Sequence, residues 1–95
     1  MTSIGTIDMR LPGADLIRAG LEDLNNGRDT VAAMLVSIGE PRLRRLGIVP
    51  AHVISEPERR LFEALAADDS DSAHSQYNAL IRRLVSFERA AECAP

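Results

Sequence analysis

From position 73 onward the apolar residues fall at Ala73, Tyr77, Leu80, Ile81, Leu84, Phe87 and Ala91. Steps of three and four residues, sustained over about five turns, are the 3.6-residue period of an amphipathic helix. Just ahead, Ser55, Glu56, Pro57 and Glu58 read as a helix start. Ser55 as N-cap and Glu58 three residues on would complete a capping box. Leu61, Phe62, Leu65 and Ala66 supply that helix's apolar stripe. The polar run at 68–72 is short enough to turn the chain back on itself, so the pattern predicts a terminal αα-hairpin.

The first half of the chain carries shorter signals. Pro12, Gly13, Ala14 and Asp15 suit a helix start, with proline tolerated in the first turn and the acid complementing the dipole. Ile17, Leu21 and Leu24 continue one face to about Asn25, and Arg18 and Glu22 form an i,i+4 pair on the other. Asp29 or Thr30 caps the next helix, which the pattern ends at Gly39. Residues 30–38 carry no charge on any face, as expected of a buried central helix. Residues 40–47 read as a separate connector helix, with Pro41 at its start and Gly47 just past its end. Two apolar pairs about Pro50 make residues 48–54 an extended crossover or a very short strand. The expectation is an all-α fold: a small irregular or orthogonal bundle of four helices plus a short connector helix, ending in the hairpin. One domain covers residues 12–95, preceded by a flexible arm at 1–11 that shows no sustained period.

Composition narrows the chemistry. All 11 basic residues are arginine, a bias that a GC-rich, bacterial-type genome explains. The absence of lysine removes Schiff-base chemistry and Walker-type phosphate binding. A formal net charge of −3 argues against a general polyanion binder. Cys93 is the single cysteine, so no intrachain disulfide and no oxidising compartment is implied. With no secretory leader pattern and no apolar run near the ~20 residues of a membrane span, the chain reads as cytoplasmic.

No catalytic, cofactor or metal motif stands out, and an enzyme is not expected. His52 and His74 lie in different predicted elements without a second ligand at metal spacing. Asp69, Ser70 and Asp71 open like a calcium loop, but Ala73 and His74 occupy the places of the third ligand and the glycine, and Leu80 that of the closing glutamate. A helix-turn-helix would place Arg42, Arg44 and Arg45 on its second helix. Its local pattern wants a small residue four before the turn glycine and an aliphatic one six after, whereas Leu35 and Arg45 stand there.

The last helix carries the most suggestive constellation. At about 100° per residue, His74, Asn78, Arg82 and Arg89 form a polar strip with an exposed Val85 among them, fit to meet a partner surface. Glu88 falls inside the apolar stripe with no basic residue at i±3 or i±4. A buried carboxylate needs a partner or a proton, and Arg44 or Arg45 from the connector could supply the partner. The expected function is therefore non-catalytic protein–protein interaction, as self-association into a homo-oligomer or as an adaptor, through His74, Asn78, Arg82, Val85 and Arg89. The alternative is a small DNA-binding regulator or antitoxin-like protein using Arg42, Arg44 and Arg45.

Overall fold

In a computed structural model, which describes residues 7–93, the chain is all-α: α1 (Ala14–Asn25), α2 (Val31–Arg45), α3 (Pro57–Asp68) and α4 (Ala73–Cys93). No strand occurs among the described residues. Residues 1–6 of the predicted arm lie outside them. Ile7 is buried and Leu11 packs on the core.

Several local signals act as the sequence suggests. Thr30 is the N-cap of α2, its hydroxyl accepting from the Ala33 N–H at 3.1 Å and donating to Asp23 at 2.5 Å. Together with the Arg28 guanidinium, 3.0 Å away, that hydroxyl holds the Asp23 carboxyl below the usual carboxylate range. Past the end of α2, Gly47 N–H donates to Arg44 O and Ile48 N–H to Leu43 O. These are the two bonds of a Schellman ending, and the buried Leu43 and Ile48 are its apolar pair.

The connector helix does not exist as a separate element. Residues 40–45 belong to α2, which runs unbroken through Gly39 and Pro41. Proline inside a helix removes one backbone bond and crowds the carbonyl four residues back, at about 3 kcal/mol. Burial on both sides outweighs this: Leu35, Val36 and Leu43 are among the largest fully buried side chains, each stabilising by about 1.5–3 kcal/mol. Stopping at Gly39 would strip Leu43 from that core. The start of α3 also departs from expectation. Its N-cap is Glu56, in the left-handed region at φ 50, with no side-chain cap bond, and Ser55 is exposed. Pro57, whose fixed φ suits N1 and which lacks an N–H to be capped, starts the helix instead of the predicted box.

α2 packs against α1, α3 and α4, and α3 packs against α4 across the turn at 69–72. That turn is tied by Asp69, whose carboxylate accepts from the Asp71 N–H at 3.1 Å and the Ser72 hydroxyl at 2.9 Å. Leu61, Leu65 and Leu84 are buried between the helices, while Phe62, Tyr77, Leu80 and Ile81 border that core half-buried. Residues 48–54, the expected crossover, are neither helix nor strand, bend at Ala51, and bury Ile48, Pro50 and Ile54. Ser37 fastens this crossover: its buried hydroxyl donates to Ala33 O and accepts from the Ile54 N–H, both at 2.9 Å.

At the α1–α2 contact the spacing is set by Gly20. A Cβ there would lie 2.3 Å from the Ala32 carbonyl oxygen and 2.5 Å from Val36 Cγ2. Gly20→Ala should therefore destabilise by about 1–3 kcal/mol through overpacking, even though alanine is the better helix former by about 1 kcal/mol. Urea denaturation measures this, and a gain in stability would mean that the two backbones do not touch. Ser37→Ala should cost about 1–3 kcal/mol, because the Ile54 N–H loses its acceptor while buried. An unchanged midpoint would show the crossover to be held by packing alone.

Candidate functional site

The site follows from how α2 and α4 approach. A Cβ on Gly39 would stand 2.7 Å from Leu84 Cδ1 and 3.0 Å from a Glu88 carboxylate oxygen. Gly39 is thus a packing notch rather than a helix stop. Beside the notch the two helices part into an open groove of about 290 Å³. Ile38, Pro41, Arg42 and Arg45 form its α2 wall, and Ile81, Leu84, Val85 and Glu88 its α4 wall.

Glu88 is buried at 4% exposure on the groove floor. Its cationic partner is Arg42, not Arg44 or Arg45, with Nη1 3.7 Å from Oε1. The correction follows from α2 being continuous. At 3.6 residues per turn, positions 38, 41, 42 and 45 share the face toward α4, while Arg44 turns away to pair with Glu40. Arg42 also reaches Glu92, in a two-pronged contact of 2.8 and 2.7 Å. This fork geometry is the strong form of a guanidinium–carboxylate bond.

The two acids answer oppositely. Burial pushes the Glu88 carboxyl above its ordinary range, with Arg42 pulling it down and Glu92 pushing it up. Glu92 is held below that range by its hydrogen bonds to Arg42, with Arg45 and Arg89 adding to the field. The groove thus has an apolar wall, a buried carboxyl and a rim of guanidinium groups.

The other residues singled out from the sequence are placed as follows. Val85 is half-buried in the groove wall rather than exposed. Arg82 and Arg89, one turn to either side of it on α4, are exposed, as is Asn78. His74 is exposed at the far end of α4, its ring 4.8 Å from that of Phe62 at 52°. Arg42 and Arg45 face the groove and Arg44 does not. Sequence reasoning missed Glu92, Ile38 and Pro41. The one available signal was the Glu88–Glu92 spacing, two acids one turn apart that an arginine could bridge.

A second groove of about 500 Å³ lies between α3, α4 and the start of α2, lined by Val31, Ala64, Leu65, Ala79 and Leu80 with Asp68, Gln76 and Arg83. Its charged residues are of opposite sign, and Arg83 is engaged with Asp15 at 3.3 Å. Among the described residues no three His, Cys, Asp or Glu side chains gather as a metal-binding group, and no helix is long and apolar enough to cross a membrane. Comparison with protein-family models, curated proteins and solved structures finds no match to this chain.

The weakened acidity of Glu88 has a testable sign. Between the ordinary carboxyl value of 4.5 and its raised folded value, the folded chain keeps a proton that the unfolded chain has lost. Its contribution to stability is then largest at acid pH and declines as pH rises through that interval. Glu88→Gln keeps the shape and leaves Arg42 paired with Glu92. The variant should be more stable than the parent at neutral pH, with the difference vanishing below 4.5. Thermal denaturation across pH reads this. A variant less stable at neutral pH would show that the Arg42 attraction outweighs burial.

Proposed function

We propose that this chain is a non-catalytic protein-binding module, self-associating or acting as an adaptor, that engages a protein surface through the α2–α4 groove and the adjoining flank of α4. This reading takes α3 and α4 as an αα-hairpin within an irregular, orthogonal bundle and sets the protein in the cytoplasm. The observation that carries it is an apolar wall, the half-buried Ile38, Ile81 and Val85 with the exposed Pro41, beside the exposed Asn78, Arg82 and Arg89. An apolar centre with a polar, arginine-bearing rim is the anatomy of protein interfaces. A chain of 95 residues also has a thin margin of core, so an interface that covers more apolar surface stabilises it.

The alternative, duplex DNA read by Arg42, Arg44 and Arg45, has less support. Arg42 is committed to Glu92 and Glu88, and Arg44 to Glu40. Only Arg45 of the three could meet a phosphate without giving up a carboxylate. Catalysis has no assembled group to support it either: His52 and Cys93 are exposed, and the His74 ring rests near Phe62.

Val85→Asp should abolish association, with itself or a partner, while leaving the helical circular-dichroism signal intact, because the new charge is fully desolvated only in the complex. Sedimentation over a range of concentrations and affinity capture from lysate measure the two forms of association. Monomeric sedimentation at high concentration, together with identical captures by parent and variant, would contradict the proposal.

A further inference from the structure

The arginines without a carboxylate partner gather in one region of the surface. Eight of the 11 have a carboxylate oxygen within 4.0 Å: Arg10, Arg18, Arg28, Arg42, Arg44, Arg59, Arg60 and Arg83. Among the described residues, Arg45, Arg82 and Arg89 have none, and all three are exposed. They are not scattered. Arg45 lines the α2–α4 groove, and Arg82 and Arg89 lie on α4 one turn to either side of Val85, a lining residue, just outside the lining itself. The two carboxylates in the same place, Glu88 and Glu92, are both engaged by Arg42. Arg42 and Arg45 in the groove and Arg82 and Arg89 beside it thus outnumber the two acids, a net positive region on a chain whose formal charge is −3.

We propose that this groove recognises an acidic amphipathic helix of another protein, with apolar side chains in the slot and carboxylates on Arg45, Arg82 and Arg89. The inference rests on the protein-binding reading and specifies the partner's chemistry. The shape supports a helix: each wall spans eight residues, 38–45 and 81–88, about 10 Å of axis at 1.5 Å per residue. Two turns of a docked helix, presenting apolar residues at i and i+3 or i+4, match that length. Guanidinium groups pair with carboxylates through two parallel hydrogen bonds, as Arg42 and Glu92 already do within the chain. A nucleic-acid backbone would satisfy the arginines but leave the apolar wall without a counterpart, and no aromatic side chain lines the groove to stack on a base. A second copy fits poorly. Among the described residues the large exposed apolar side chains are Met9, Val49 and Val53, and none of them lies on a helix.

Selection from a displayed library of random helix-forming peptides tests this with no partner in hand. Selected peptides should be enriched in Asp and Glu around a Leu, Ile or Phe pair. Bound to the isotope-labelled protein, they should shift the amide resonances of residues 38–45 and 81–89. Arg45→Glu with Arg89→Glu, both exposed and outside the core, should weaken binding about tenfold or more, and added salt should weaken it in the parent. Three results would overturn the inference. Peptides without acidic enrichment that still map to the groove would leave the protein-binding reading standing and remove its acidic partner. Shifts confined to Ala64, Ala79 and Leu80 would move the site to the second groove. Tighter binding of a DNA duplex than of any selected peptide, on the same resonances, would transfer the arginines to nucleic acid.

Discussion

Two glycines, each leaving room on its own helix for the neighbouring one to come close, set the geometry of this molecule. Gly20 brings α1 onto the Ala32 carbonyl and Val36, and Gly39 brings α4's Leu84 and Glu88 onto the backbone of α2. α2 has one neighbour at each notch and can hold both only while it stays one helix. The hydrophobic burial of Leu35, Val36 and Leu43 along it outweighs the hydrogen bond lost at Pro41. The same continuity orients Ile38, Pro41, Arg42 and Arg45 toward α4, so the core and the groove share one physical cause.

The electrostatics of the groove are a compromise that this packing imposes. Moving the Glu88 carboxyl away from water is costly. Arg42 offsets part of that cost at 3.7 Å, but its best hydrogen bonds go to the more exposed Glu92. A single guanidinium thus joins the last turn of α2 to the last turns of α4 and offsets much of the local negative charge. Arg45, Arg82 and Arg89 are left to present an unbalanced positive rim over an apolar wall. A core contact would not need that rim, and a partner with the opposite charge would use it.

Much of the fold was legible in the chain. The periods from Ile17 to Leu24, Leu61 to Ala66 and Ala73 to Ala91 mark three helices, and Thr30 marks the start of the other, whose end was read at Gly39 rather than before Gly47. What was not legible depends on contacts between elements. Gly39 and Pro41 are local stop and start signals, and only the burial of Leu43 and the approach of Leu84 show why the helix ignores them. Ser55 satisfies the capping pattern, yet Pro57 at N1 starts α3 with Glu56 in the left-handed region. Glu88 was identifiable as a misplaced charge in an apolar stripe, but its partner was not. Treating residues 40–47 as a separate helix left their face toward α4 undetermined, and Arg42 could not be told from Arg44 or Arg45. Ser37 and Gly20 gave no sequence signal, since a small residue in an apolar helix looks the same whether or not a backbone rests on it.

The continuity of α2 is the claim on which both the core and the groove stand, and nuclear magnetic resonance of the isotope-labelled chain tests it most directly. The account predicts helical Cα chemical shifts without interruption from Val31 to Arg45, together with nuclear Overhauser contacts between the Gly39 α-protons and the Leu84 methyls. A loss of helical shifts at 39–41, with no Gly39–Leu84 contact, would separate Arg42 from Glu88 and contradict the groove as described.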